Sequence, residues 1–343
     1  MLLMDKKKAL VYNENYPTSL SEFSRRYYLA LKLFRKTPLV DFYEEFIDFG
    51  PVDLSRLILV HKEAYVRRLI KIQSGERKDK IIPQDRLLFD ALATRGSELA
   101  VDFAFKHDSV AFHLGGGFHH AFSGAPGAYD YCNDVAFATA RALEQGVKKV
   151  LIVDLDVHHP NGTQEIFWND NRVFQVSFHG SRVYPGTGLP QEIGGKEAKG
   201  TKLNLPLPSE TGDEVYLEAM DSLIPTFVQR IKPEFIIYQA GVDTHHADPL
   251  GNLKLTLRGL FLRDQKIFRL AKKLGVGVAI IRGGGYHDHF SPRANVNTLA
   301  AFAEQGAVFT EDKTVAEPAP KIIKTVEKRV AFLKQIMGRY YSV

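Results

Sequence analysis

Five short apolar runs dominate the chain from residue 110 onward: VAFHL (110–114), KVLIVDL (149–155), RVFQVSF (172–178), EFIIYQA (234–240) and VGVAIIR (276–282). Amphipathic stretches of helical length separate them, near 134–146, 212–231 and 257–274. Strands that are apolar along their whole length must be covered on both faces, and helices between them supply the cover. The pattern therefore predicts an α/β fold, a central parallel sheet with helices on both faces. KALVY (8–12) reads as a further strand of that sheet, and residues 84–106 as a helix leading into the run at 110.

A chain of 343 residues, 45% hydrophobic and 25% charged, can bury one large core of ordinary globular composition. Residues 1–312 are expected to form the main domain. EPAPK (317–321) reads as a short linker within the remaining segment, 313–343. Beyond it, Ile322, Val326, Val330, Leu333 and Met337 recur every three or four residues, an amphipathic helix expected to dock on the body.

The opening MLLMDKKK reaches charge after four apolar residues, and no run of about 18 apolar residues follows anywhere. The expectation is a cytoplasmic chain with no membrane role. The single cysteine, Cys132, excludes an internal disulfide framework and reads as a small buried side chain. Net charge is +5, but acidic residues are interspersed almost throughout, and no nucleic-acid motif accompanies the basic tail. Direct nucleic-acid binding is not expected.

In open parallel sheets, ligands bind beyond the carboxyl ends of the strands. Four polar clusters fall there. His119 and His120 follow the run at 110; Asp154, Asp156, His158 and His159 end the run at 149; Asp243 follows the run at 234; and GGGYH (283–287) follows the run at 276. Alternation along a strand would put Asp154, Asp156 and His158 on one side. Asp and His are both good zinc ligands, and Asp243 is the natural third from another strand. Several acidic side chains at neighbouring strand ends are costly to bury without a cation. His245 and His246 read as loop histidines outside that site. The adjacent His119 and His120 point different ways on any looping backbone, so each needs its own partner.

Taken together, GGGFHHA (115–121), VDLDVHHPNGTQEIF (153–167), VSFH (176–179), YPGTG (184–188), AGVDTHHADPLG (240–251) and GGGY (283–286) resemble the histone deacetylase superfamily. Val60, His61 and Tyr65 look like a further family marker. The resemblance runs over about residues 9–300. DPLGNLKLTLRGLFLRD (248–264) is similar to class IV members, and DVHHPNGTQEIF to class II enzymes and their bacterial relatives; the superfamily as a whole includes acetoin-utilisation proteins and acetylpolyamine amidohydrolases.

The resemblance implies an arginase-like fold and one zinc ion held by Asp156, His158 and Asp243. It gives His119 the role of the histidine leaning on a buried aspartate, Asp154, and His120 that of general base and then acid, oriented by Asn161. Tyr286 would donate to the oxyanion. Gly117, Tyr129, Tyr184 and Leu250 would line an acyl-lysine channel. A structural potassium ion is implied near Asp154, Asp156, His158, Ser177 and the Phe178 carbonyl. Asn161 stands where some members have Asp, Ala128-Tyr129 replaces a more usual Gly-Phe, and Pro160 sits where Gly is common.

The implied activity is zinc-dependent removal of an acyl group, acetyl foremost, from the lysine side chains of proteins or peptides. A small acylated amine, such as an acetylated polyamine, is the alternative substrate. A binuclear manganese ureohydrolase of the same fold is disfavoured, because His159, Pro160, Thr244 and His245 offer too few oxygen ligands for a second metal. A silent acyl-lysine reader is disfavoured because His120, Tyr286 and all three metal ligands are present. The Lys- and Arg-rich segment 66–86 is expected to contribute to the channel rim.

Overall fold

The computed structural model describes residues 7–16, 25–311 and 318–341. Eight strands form one sheet: β1 (Lys8–Val11), β2 (Tyr43–Phe46), β3 (Val110–His113), β4 (Val150–Asp154), β5 (Val173–Gly180), β6 (Lys202–Leu207), β7 (Phe235–Gln239) and β8 (Gly277–Ile281). Their order across the sheet is β2-β1-β3-β8-β7-β4-β5-β6, and every pairing is parallel.

The helices are α1 (Arg25–Phe34), α2 (Glu63–Gln73), α3 (Gln84–His107), α4 (Asp134–Glu144), α5 (Asn161–Ile166), α6 (Asp213–Ile231), α7 (Leu257–Leu274), α8 (Phe290–Phe302) and α9 (Pro320–Tyr340). They cover both faces. Along β4, Leu151 and Val153 pack into one hydrophobic layer while Val150 and Ile152 pack into the other, which is why the run is apolar throughout. This is the α/β architecture expected from the sequence.

Each predicted strand is present. The sequence reading did not identify the two edge strands. β2 (YEEF) carries two glutamates and β6 (KLNLPL) a proline, features that suit an edge and dilute the apolar signal. Helix ends follow local chemistry. Asn133 caps α4 by accepting the Ala136 N–H, Thr256 caps α7 by accepting from Gly259, and Gly275 ends α7 in the left-handed conformation.

The expected boundary at 312/313, and Glu317 at the start of EPAPK, lie outside the described residues. Beyond them α9 packs against α6 and β6 through buried Val326, Val330, Leu333, Ile336 and Met337. Docking on the body is what the periodicity predicted. Among the described residues, no helix is long and apolar enough to cross a membrane.

Candidate active site

The sheet order explains how distant clusters meet. β3, β8, β7 and β4 are consecutive neighbours, and the loops leaving their carboxyl ends carry His119–His120, Gly283–Tyr286, Asp243 and Asp156–His158. Two of these loops nearly touch: a Cβ on Gly117 would stand 2.3 Å from the Gly283 Cα, so this crossing requires glycine.

At the bottom of the resulting cleft, ligand atoms of Asp156, His158 and Asp243 lie within 4.8 Å of one another, and all three residues are buried. His158 Nδ1 is 3.0 Å from an Asp156 oxygen and 3.1 Å from an Asp243 oxygen. Burial disfavours a charged ring here, but the bonds to Asp156 and Asp243 outweigh it and push the His158 pKa up to about 11. A site that holds a proton so firmly favours positive charge, and its donor set of two carboxylates and one imidazole fits a divalent cation of the zinc type.

The route to this grouping differs from the one expected. β4 ends at Asp154, so strand alternation does not extend to Asp156 and His158. The His158 N–H bonds the Asp156 side chain at 2.9 Å, an Asx turn that pulls the chain off the sheet. Asp154 receives His119 Nδ1 at 2.9 Å on one oxygen and the Asp156 N–H at 3.3 Å on the other. Asp156 is held on its far side by Gln239 Nε2 at 2.9 Å and the Gly284 N–H at 2.8 Å, and Asp243 by the Val157 N–H at 2.8 Å.

His120 Nδ1 lies 2.7 Å from Asn161 Oδ1, and its backbone N–H donates to Asp130. For His119, burial lowers the pKa, but Asp154 and Asp156 outweigh it and raise the value to about 9. For His120, burial and then the neighbouring His119 charge drive the pKa well below its ordinary value. Burial, with Asp156 and Asp243 adding to it, holds the Tyr286 phenol well above its ordinary range, so it stays protonated. The Tyr286 backbone is clamped: its N–H donates to Asp248, and its carbonyl accepts from Arg26, whose guanidinium stands 5.0 Å from the ring centre.

A cavity of about 600 Å³ opens above these groups. Asp156 and His158 form its floor, and Gly117, His120 and Tyr286 its walls. Tyr129, Tyr184 and Leu250 are 72%, 48% and 52% exposed and stand at its mouth, so they are not core residues. The Tyr184 ring meets His120 edge-on at 4.9 Å. Asp154, Asn161, Ser177, Phe178 and Asp243 do not line the cavity but stand behind it; Asp154 and Ser177 are register partners across β4 and β5, with Phe178 next.

Segment 66–86, expected to form part of the rim, reaches the cavity at one residue. Only Arg86 of that segment lines the cavity, and it is tied to Asp90 at 2.9 Å, while Arg68 turns away to Asp79. Ala128 has φ +50°, a left-handed conformation that glycine adopts freely. Asp130, Gln239 and Asp248, which the sequence reading left out, fix the site through single hydrogen bonds from distant segments. Nothing in their local spacing marks them.

A second group, His245, His246 and Glu311, also brings three ligand-type atoms within 4.8 Å. There the Ala247 N–H donates to His245 Nδ1, which leaves the ring hydrogen on Nε2, facing Glu311 at 3.3 Å. An imidazole protonated on that nitrogen has no lone pair there to give a metal.

The sequence pattern that defines the histone deacetylase domain matches residues 21–302. The chain belongs to the histone deacetylase family. A probable deacetylase of Archaeoglobus fulgidus is 35% identical over 73% of this chain and 72% of its own length. The chloroplastic histone deacetylase 10 of Oryza sativa subsp. japonica is 30% identical over 83% of this chain and 69% of its own. The acetoin utilization protein AcuC of Staphylococcus aureus is 34% identical over 56% and 51%. The crystal structure of the HDA15 HD domain superposes with a TM-score of 0.83 over 98% of this chain and 95% of that one; at 23% identity it establishes the shared histone deacetylase fold. Membership in this deacetylase family makes the chain a hydrolase of acetylated substrates, in a family that is typically metal-dependent.

Proposed function

We propose that this chain is a zinc-dependent amidohydrolase that removes acetyl groups from lysine side chains of proteins or peptides. One observation carries the reading: His120 and Tyr286 flank the buried Asp156–His158–Asp243 group, their rings 6.0 and 6.3 Å from that of His158, and Asp156 and His158 of that group floor one cavity. When bound by Asp156, His158 and Asp243, zinc acts as a Lewis acid, polarising the scissile carbonyl and acidifying the attacking water.

The chain's own residues do the rest. His120, neutral because burial and His119 depress its basicity, takes the water's proton at Nε2 in place of the hydrogen bond that His119 gives that atom in the resting site, while Asn161 holds Nδ1. The Tyr286 phenol, protonated and fixed through Asp248 and Arg26, donates to the oxygen on which negative charge develops. Asp154 keeps His119 positively charged beside that reaction. The imidazolium formed at His120 then returns a proton to the departing lysine amine, giving free amine and carboxylate. Tyr129, Tyr184, Leu250 and Gly117 would guide the acyl-lysine stem. Asp154, Asp156, His158, Ser177 and the Phe178 carbonyl would hold a structural potassium ion behind the site. Residues 1–312 would form the catalytic domain, and 313–343 an appended linker and helix.

The test is hydrolysis across a matched panel of acetyl-lysine peptide, long-chain acyl-lysine peptide and acetylated polyamine, using zinc-loaded and chelated protein. Chelator-sensitive release of acetate from the peptide is expected. Turnover of the polyamine alone would transfer the reading to small amines. No turnover of any member, with zinc bound, would overturn it.

A further inference from the structure

A second buried polar chain runs behind the loop that delivers His119 and His120, and the reaction steps above make no use of it. Asp134, the first residue of α4, accepts the Phe118 N–H at 2.7 Å and the Gly117 N–H at 3.1 Å. Its carboxylate also accepts the Ser97 hydroxyl at 2.5 Å, from the middle of α3. Ser97 Oγ lies 2.9 Å from His113 Nδ1 at the end of β3, and His113 Nε2 lies 2.8 Å from the Tyr16 hydroxyl. All four side chains are fully buried.

Hydrogen-bonding capacity gives this chain one direction. A carboxylate only accepts, so Ser97 gives its hydrogen to Asp134. Its oxygen must then accept from His113, which puts the ring hydrogen on Nδ1. The Nε2 of that neutral ring is left to accept from Tyr16. Donation runs from Tyr16 to His113 to Ser97 to Asp134, and the Gly117 and Phe118 amides donate to Asp134 from the other side. Burial, the only cause acting on His113, lowers its pKa to about 3, in agreement with a neutral ring.

Space has been cleared for this chain. A Cβ on Gly96 would lie 2.3 Å from His113 Nε2, and one on Gly116, at φ +71°, would lie 2.1 Å from an Asp134 oxygen. The glycines before His119 thus serve two neighbours: Gly117 lets the Gly283 loop close in, and Gly116 lets Asp134 reach the backbone.

We infer that Tyr16, His113, Ser97 and Asp134 form a positioning relay, which locks the Gly117–Phe118 backbone and through it sets where His119 and His120 stand. The relay's effect on turnover rests on the proposed deacylation; its hydrogen-bond direction does not. Ser97 is the test position, because Ser97→Ala removes the donor to Asp134 and the acceptor of His113 together. A small displacement of catalytic groups is enough to cost about 100-fold in rate. We expect Ser97→Ala to bind zinc with unchanged stoichiometry, keep KM within about twofold and lose roughly 10- to 100-fold in kcat. Ser97→Thr, which keeps the hydroxyl, should recover most of that loss. A kcat equal to wild type, or a loss confined to thermal stability, would show packing alone and overturn the inference.

The second readout needs no turnover. Nitrogen-15 imidazole spectra of the wild type should show His113 neutral with its hydrogen on Nδ1, and Ser97→Ala should shift the ring nitrogens of His119 and His120. A His113 hydrogen on Nε2, or unmoved His119 and His120 signals, would overturn the relay. If the wild type hydrolyses no amide, the proposed function fails and these spectra still decide the relay.

Discussion

The Nε2 atoms of His119 and His120 face each other at 3.1 Å, while the Nδ1 of each is held elsewhere, on Asp154 and on Asn161. Two arrangements of hydrogens satisfy all three contacts, and the raised basicity of His119 beside the depressed basicity of His120 selects one. His119, doubly protonated, donates to Asp154 and to His120. His120, neutral, receives at Nε2 and donates from Nδ1 to the Asn161 carbonyl oxygen. Two adjacent residues with the same side chain are thus driven to opposite protonation states by what stands behind each, the arrangement that separates an acid from a base within one site.

The amide at Asn161 is the lever. A carboxylate there would stabilise a protonated His120, which an amide oxygen does only weakly. Asn161→Asp is expected to move the acidic limb of the kcat/KM profile upward by about one pH unit, the low end of what an adjacent opposite charge produces. Measuring kcat/KM against pH for both proteins checks it. An unmoved limb would mean that a different group sets the profile.

Tyr286→Phe removes one hydroxyl and leaves every backbone contact that fixes the ring: the N–H to Asp248 and the carbonyl to Arg26. We expect zinc stoichiometry to hold and kcat to fall by roughly 10²- to 10³-fold, the usual effect of deleting one oxyanion donor. Stopped assays with parallel metal analysis test this. Activity near wild type would remove Tyr286 from the proposed role.

The convergence of the site was legible because four polar clusters followed four apolar runs, and parallel sheets bring strand ends to one rim. The grouping at Asp154–His158 was legible in outcome but not in cause. Strand periodicity implied one shared side, whereas β4 ends at Asp154 and an Asx turn on Asp156 carries the chain on to His158. The Ser97–His113–Asp134 chain was not legible, because its members are 16 to 37 residues apart and belong to three elements. The Lys- and Arg-rich segment 66–86 was legible only in part, since Arg86 alone of it lines the cavity. Composition signals a charged surface, but Arg68 and Arg86 are paired with Asp79 and Asp90.

Metal binding should report on the fold as well as on turnover. Two carboxylates beside one imidazole favour the folded chain more strongly once a divalent cation joins them, because the unfolded chain offers no such site. Added zinc is expected to raise the midpoint of thermal unfolding, with stabilisation of about 4 kcal/mol when free metal is 1,000 times Kd. In Asp243→Asn the shift should largely vanish. Calorimetry with and without zinc decides it, and an equal shift in both proteins would locate the metal elsewhere.

Acid stability can be traced to His61, well apart from the metal ligands. Its Nδ1 meets the Phe122 carbonyl at 2.9 Å and its Nε2 accepts the Asn133 N–H at 3.1 Å, so the ring is neutral and fully used. Burial, only partly offset by the backbone bonds to Phe122 and Ser123, lowers its pKa to about 4. The unfolded chain, with an ordinary histidine pKa near 6.5, therefore binds more protons than the folded chain between about pH 6.5 and 4. In that window stability falls as pH falls, and above it the contribution is fully present. One such group changes the slope by at most about 1.4 kcal/mol per pH unit. His61→Gln keeps a donor and an acceptor but cannot gain a proton, so its stability should fall less steeply. Denaturant unfolding of both proteins at pH 7, 6 and 5 measures the difference. Parallel slopes would mean that His61 takes up its proton inside the fold at no cost, and that the acid sensitivity comes from other buried groups.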